Sequence, residues 1–405
     1  MALPESTSQT SKARRTALLG AMFLMATSAI GPGFITQTTE FTVRIGAAFA
    51  FAIVVSILVD IAVQLNVWRV IGVSGMRAQE LGNKVLPGIG WFLAVLVFIG
   101  GMVFNIGNIA GTGLGLNAML GVDAKIGGAI SAVVAILIFL SKKAGMALDR
   151  IVVMLGAVMI LLMLYVAIVA APPVGDAIRN VVLPEKIDFL IITTLIGGTV
   201  GGYITYAGAH RMIDSGTSGV EHVKEISNTS TLAIIVTGVM RVLLFLAILG
   251  VVAGGVALTS DNKAAEAFGH AAGPIGIRAF GVILWAAALT SVIGAAYTSV
   301  SFITKRTTPE RTRNLITVAF IVVCGIIYMF LGQAPATLLI FAGAFNGLIL
   351  PVGFAVLLWV AWRRRDLLHG YNYPKALLAV GALTWLLSVY LGWNSISGLA
   401  ALWNG

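Results

Sequence analysis

Cysteine is almost missing. Cys324 is the only one in 405 residues, which excludes an intramolecular disulfide and a cysteine-built metal cluster. Histidine occurs four times, with no His/Cys cluster and no Ser/His/Asp set, so the sequence offers no enzyme centre and calls for no cofactor. Charge is scarce as well. Asp, Glu, Lys and Arg make up 10% of the chain, against about 25% in soluble domains. The 26 basic residues outnumber the 16 acidic ones, for a formal charge of +10. No basic stretch is interleaved with aromatics as a strand-binding groove requires, so nucleic acid is not the partner. What remains is 59% hydrophobic, with a mean hydropathy of +0.99. That composition belongs to an all-α integral membrane protein whose partner is the lipid bilayer.

A span needs about 20 apolar residues. About eleven stretches qualify, at 16–41, 46–70, 88–120, 126–141, 148–171, 188–215, 231–258, 279–303, 314–332, 336–362 and 377–402. The apolar run after Lys12, Arg14 and Arg15 is too long for the core of a cleaved signal peptide. With the N-terminus inside, the inner loops receive most of the cations: Lys12, Arg14 and Arg15; Arg69, Arg77 and Lys84; Lys142, Lys143 and Arg150; Lys224; Lys305, Arg306, Arg311 and Arg313; Arg363, Arg364, Arg365 and Lys375. The outer loops receive Arg44, Lys125, Arg179, Lys186, Lys263 and Arg278. Lys and Arg accumulate in cytoplasmic loops, so the expectation is a multi-pass protein of the cell (inner) membrane with a cytoplasmic N-terminus. Gly75–Leu86 reads as a short interfacial segment and Pro172 to Asp188 as an outer loop.

Two spans are broken. In Ser28-Ala-Ile-Gly-Pro-Gly-Phe-Ile-Thr-Gln37, Pro32 lacks a donor and clashes with the carbonyl four residues back, while Gly31 and Gly33 ease irregular backbone. A second break is expected near Gly197-Gly198 and Gly201-Gly202. Broken backbone at membrane depth is tolerated only where protein buries it or a wet cavity solvates it. Paired breaks in matching halves are a signature of transporters built from inverted repeats. The expected architecture is a tail at 1–15, a ten-helix core at 16–362 and an added helix at 377–402. The core comprises five-helix repeats at 16–171 and 188–362. Candidate substrate-binding residues are Gly31, Gly33, Phe34, Gln37, Gly198, Gly201 and Tyr203.

Polar residues stand out against this background, because each buried polar group costs free energy unless paired. Ser56, Asp60 and Gln64 share a face of span 2; Asn105, Asn108 and Thr112 share a face of span 3; Ser291, Thr298 and Ser301 follow helical spacing in span 8. Helix packing by small and hydroxyl residues explains such stripes as well as a lined cavity does. Glu40, Asp60 and Arg241 are the charges expected within the bilayer, and with Asn105 and Asn108 they are the coupling candidates. Arg241 pairs with Glu40 or Asp60, or faces a substrate anion. His210, Arg211 and Asp214, near the inner end of span 6, are expected to be solvated. Gly111-Thr-Gly-Leu-Gly115 lies in an apolar helix and reads as close packing. Asn228-Thr-Ser230 falls on the inner side, away from glycosylation.

Most of the chain resembles the Nramp family of divalent metal transporters. The first break resembles the family's Asp-Pro-Gly-Asn segment, and Gly197-Gly-Thr-Val-Gly-Gly-Tyr-Ile204 resembles its Gly-Ala-Thr-Val-Met-Pro-His-Asn segment in helix 6. Asn105 to Asn117 looks like the helix 3 pattern, while Thr290 to Tyr297 and Asn346 to Pro351 look like helices 8 and 10. The resemblance implies a LeuT-type fold with broken helices 1 and 6 and alternating access around a midplane site. It also implies specific losses. The family's metal-binding Asp becomes Gly31, its Asn becomes Phe34, its Met becomes Gly201 and the neighbouring His becomes Tyr203. Its two helix 3 acids, linked to proton transfer, become Asn105 and Asn108. A bare transition metal would lose its carboxylate and its sulfur, so no metal ligand is assigned. The expected cargo is a small organic solute, zwitterionic or carboxylate-bearing. The alternative is a divalent cation, Mg2+ or Mn2+, held hydrated or at a displaced site by Glu40 or Asp60. A receptor or scaffold would have no use for the broken helices, and a channel fits them less well than alternating access does.

Overall fold

The computed structural model describes residues 29–214, 216–305 and 307–404, except for the side chains of 142–150, 152, 153 and 404. Ser28, Lys12, Arg14, Arg15 and Arg306, the tail at 1–15 and the first half of span 1 lie outside the described residues. Fourteen helices and two short 3-10 turns make up the described chain.

Helix α1 (Pro32–Ile45) starts where Pro32 sits at the first helical position, after extended Gly31. Proline suits that position because its missing N–H would be unpaired there anyway. Thr38, Thr39 and Thr42 return their hydroxyls to the carbonyls of Phe34, Ile35 and Thr38, which lets a threonine-rich helix be buried. Gly46, at φ 56°, ends α1, and α2 (Phe49–Ser74) follows. The interfacial α3 (Ala78–Val85) leads into α4 (Ile89–Leu120), α5 (Ala124–Leu140) and α6 (Lys142–Ala170). The expected outer loop after α6 contains a helix, α7 (Val174–Val182), bent 105° from α6. Asp176 in its first turn and Arg179 in its last complement the helix dipole.

The second half opens with α8 (Phe189–Thr199) and α9 (Ile204–Asp214), separated by Val200–Tyr203. Then come α10 (Val223–Ala253), α11 (Lys263–Ile303), α12 (Glu310–Phe330), α13 (Pro335–Arg363) and α14 (Lys375–Asn404). Helix α11 starts 16 residues before the expected span, and a non-helical Gly273 followed by Pro274 kinks it into an N-terminal arm and a longer C-terminal portion. Eight stretches are long and apolar enough to cross a membrane, nine counting the bent α6–α7 pair. The 17-residue apolar α5 is shorter than these, and α1 is the described part of the first expected span.

Helix α4 packs along α11 through glycines. A methyl on Gly115 would lie 2.6 Å from Trp285 N, and one on Gly281 would lie 2.6 Å from Met119 N. Gly111 faces Pro32 of α1 in the same way, so the 111–115 glycines serve close packing, as the sequence indicated.

Candidate functional site

The site is built around the two breaks. At the first, a methyl on Gly31 would lie 2.7 Å from Ser291 Oγ and 3.8 Å from Asn108 Oδ1. Phe104 of α4 ties this break to the second, standing 3.7 Å from a methyl on Gly33 and packing edge-on against Tyr203 at 5.6 Å. The second break is narrower than the glycines alone indicated. Gly197 and Gly198 remain helical, and the interruption covers Val200 to Tyr203. Gly197 is a packing glycine, its missing side chain leaving room for Gly343 and Gly347 of α13. Gly198 leaves room for Gln37, whose Oε1 would be 2.6 Å from a methyl there. At the break the Gly201 N–H reaches back to Ile196 O (3.2 Å), and Gly202 takes φ 53°.

Two amides hold these parts together. Gln37 Nε2 donates to Leu339 O of α13 at 3.0 Å. Asn346 Nδ2 donates to Gly100 O (3.0 Å) and Ala342 O (2.8 Å), so its Oδ1 points at Gly202. Asn346 was not among the candidate residues. Its signal was present, as the one amide in the apolar α13 sequence.

Several buried polar atoms here lack a hydrogen-bond partner among the described residues. They are Gln37 Oε1, Asn108 Nδ2, Ser299 Oγ and Asn346 Oδ1. An unpaired buried polar atom costs about 1–3 kcal/mol, and a cluster of them is a place where something polar belongs. All are neutral. Among the described residues no group of three or more His, Cys, Asp or Glu side chains could hold a metal ion.

The intramembrane charges separate into two places. Arg241 (α10) and Asp60 (α2) are each 2% exposed and attract one another across a tight void shared with Thr199, the last residue of α8. Arg241 Nη2 lies 3.4 Å from Thr199 Oγ1, and its guanidinium stands 4.5 Å over the Phe34 ring. Arg241 thus lies against Phe34 of the first break and beside Thr199 at the edge of the second. Glu40 belongs elsewhere. Both its oxygens take Lys263 Nζ at 2.8 Å, at the start of the α11 arm. The expected Glu40–Arg241 alternative is therefore not formed, because the arm delivers a closer cation.

A second correction concerns the inner end of α9. His210 is buried, with Nε2 accepting the Ala78 N–H at 3.3 Å, and Asp214 pairs with Arg77 at 2.7 Å. Arg77 is 2% exposed and also donates to Ser301 O (2.9 Å) and Thr304 O (3.3 Å), the last carbonyls of α11. Gln79 Nε2 joins it on Ser301 O at 3.0 Å. Of the three residues expected to be solvated, Arg211 and Asp214 are exposed and His210 is buried. A charged loop residue such as Arg77 gives no local sign that three elements converge on it.

The sequence model of the natural resistance-associated macrophage protein-like (Nramp) family matches residues 22–397. The chain is a member of the Nramp family. It is 50% identical over 390 residues to the uncharacterized membrane protein YcsG of Bacillus subtilis (strain 168), covering 96% of each chain. The solved manganese transporter of Eremococcus coleocola superimposes over 100% of this chain and 90% of its own, with a TM-score of 0.77 at 19% identity. MhsT in complex with L-phenylalanine superimposes over 95% of this chain and 97% of its own, with a TM-score of 0.64 at 15% identity. Likenesses at these identities speak to the fold alone, which is the LeuT type that the family resemblance implied. Membership of the Nramp family makes this chain a multi-pass membrane transporter.

Proposed function

We propose that this Nramp-family chain is a secondary transporter whose central site takes a small, polar organic solute, zwitterionic or carboxylate-bearing, rather than a bare divalent metal ion. The observation carrying this reading is the set of unpaired neutral amide and hydroxyl atoms around the two breaks. Such atoms suit a solute that both donates and accepts hydrogen bonds. A bare transition metal wants carboxylate, imidazole or sulfur, and Gly31, Phe34, Gly201 and Tyr203 supply none of these. Phe34 and Tyr203 add an aromatic wall. The hydrated-cation alternative needs a carboxylate with charge to spare. Glu40 is occupied by Lys263, and Asp60 faces Arg241, so both are already balanced.

The reading is tested by uptake into liposomes containing the purified chain, with a thermal-shift screen against Mn2+, Mg2+, Ca2+, amino acids and small carboxylates. The expected result is stabilisation and counterflow with an organic solute and no saturable Mn2+ uptake. Strong, saturable Mn2+ uptake would overturn the proposal. Metal binding abolished by Glu40→Gln or Asp60→Asn would instead mean that the cation site had moved.

Alternating access in this reading takes the two five-helix repeats at 16–171 and 188–362 as its moving parts, with the N-terminus and the basic loops cytoplasmic. The Arg77 cluster then closes the inner side, since it ties α3 and the end of α11 to the inner half-helix α9. Hydrogen bonds to charged groups contribute about 1.5–3 kcal/mol each. Arg77→Gln is expected to raise the thiol-labelling rate of Ser301→Cys at least about tenfold, in a Cys324→Ala background. An unchanged rate would remove Arg77 from the closure.

A further inference from the structure

A groove of about 550 Å³ runs between α13 and α14, away from the central site. It exists because small residues, Ala355 on α13 and Ala379 and Ala382 on α14, leave the two helices apart there, while Trp359 and Trp385 form walls. Trp385 is fixed in place by its Nε1 hydrogen bond to Pro351 O at 2.9 Å. Trp359 and Trp362 are 46% and 53% exposed, and such rings favour the boundary between hydrocarbon and headgroups.

The charge distribution names the occupant. The connection from Arg363 to Lys375 carries Arg363, Arg364, Arg365 and Lys375 against a single acid, Asp366. Asp366 is taken by Arg364 at 2.8 Å, and Arg364 also donates to Lys84 O. That leaves Arg363, Arg365 and Lys375 with no acidic partner among the described residues. Lys375 lines the mouth of the groove, and the Arg363 guanidinium lies 3.9 Å over the Trp362 ring at the same end. From Lys375 to Trp385 the groove follows ten helical residues, about 15 Å at 1.5 Å per residue. That is half of the ~30 Å hydrocarbon thickness, the reach of an acyl chain within one leaflet.

We propose that this groove seats one acyl chain of an anionic phospholipid, with its phosphate held by Lys375, Arg363 and Arg365. Basic pockets between spanning helices recognise anionic headgroups in this way. The depth of the groove selects a lipid chain, and the unneutralised mouth selects an anionic headgroup over a zwitterionic one.

The test is native mass spectrometry of the purified full chain, titrated with dioleoyl phosphatidylglycerol and, separately, dioleoyl phosphatidylcholine. One phosphatidylglycerol is expected to be retained under conditions that strip phosphatidylcholine. Arg363→Gln with Lys375→Gln should weaken that retention about 30-fold, since each juxtamembrane cation contributes about fivefold. Ala379→Trp keeps the cations but fills the groove, and it should also lose the lipid. Unchanged melting temperature and elution volume in each variant guard against misfolding. Equal retention of the two lipids, or phosphatidylglycerol retained undiminished in both variants, would overturn the proposal.

Discussion

Arg241→Met is expected to destabilise the chain by about 3–5 kcal/mol, because it leaves the Asp60 carboxylate buried without its compensating cation. Both residues are 2% exposed, and the void between them offers no room for a water molecule to take over the charge. Methionine keeps most of the side-chain length, so packing against Phe34 survives while the cation–π contact, about 0.5–2 kcal/mol, is lost. The comparison that isolates the charge is the double substitution Asp60→Asn with Arg241→Met. It removes both charges and should recover most of the lost stability, as neutral replacements of buried pairs do. Melting in detergent measures both variants. An Arg241→Met protein as stable as the parent would mean that Asp60 carries no charge there. The same experiment reads the site, because Arg241 touches Phe34 and Thr199 at the two breaks. Solute affinity falling with Arg241→Met but not with the double substitution would trace the effect to a displaced Asp60 rather than to the aromatic wall.

How far the sequence could reach follows from which signals are local. Pro32 announced its break because a proline constrains its own backbone wherever it sits. The glycines of the second break were ambiguous for a physical reason. Glycine serves both irregular backbone and close helix approach, and only the neighbours separate Gly202, at φ 53°, from helical Gly197 against Gly343. Asp60 and Arg241 were legible as a pair because few charges lie in apolar spans. Glu40 was misjudged because its partner arrives from 223 residues away on an arm bent at Gly273. His210 looked solvated by position alone, and the structure buries it against α3. Asn346 shows the opposite case: an isolated amide in an apolar helix was a usable signal, and its two donors turn out to brace both α4 and α13.

Gly202→Ala is expected to abolish transport while sparing insertion into the membrane. Two independent penalties meet at this residue. A left-handed backbone costs a residue with a Cβ about 1–2 kcal/mol, and Gly202 sits at φ 53°. The added methyl would also overlap Asn346 Oδ1, which cannot retreat freely because Nδ2 is held by Gly100 O and Ala342 O. Relief then requires either unwinding the break or releasing Asn346, and both disturb the walls around Tyr203 and Gln37. Asn346→Ala in the Gly202→Ala background separates the two penalties. It removes the overlap but not the backbone strain, so a partial recovery of uptake is expected, with a coupling of about 0.5–3 kcal/mol between the two sites in melting experiments. Additive losses would mean that Asn346 and Gly202 do not press on one another. Full activity in Gly202→Ala alone would mean that the break tolerates a side chain, and the bend from α8 to α9 would then be set by Val200 and Gly201 instead.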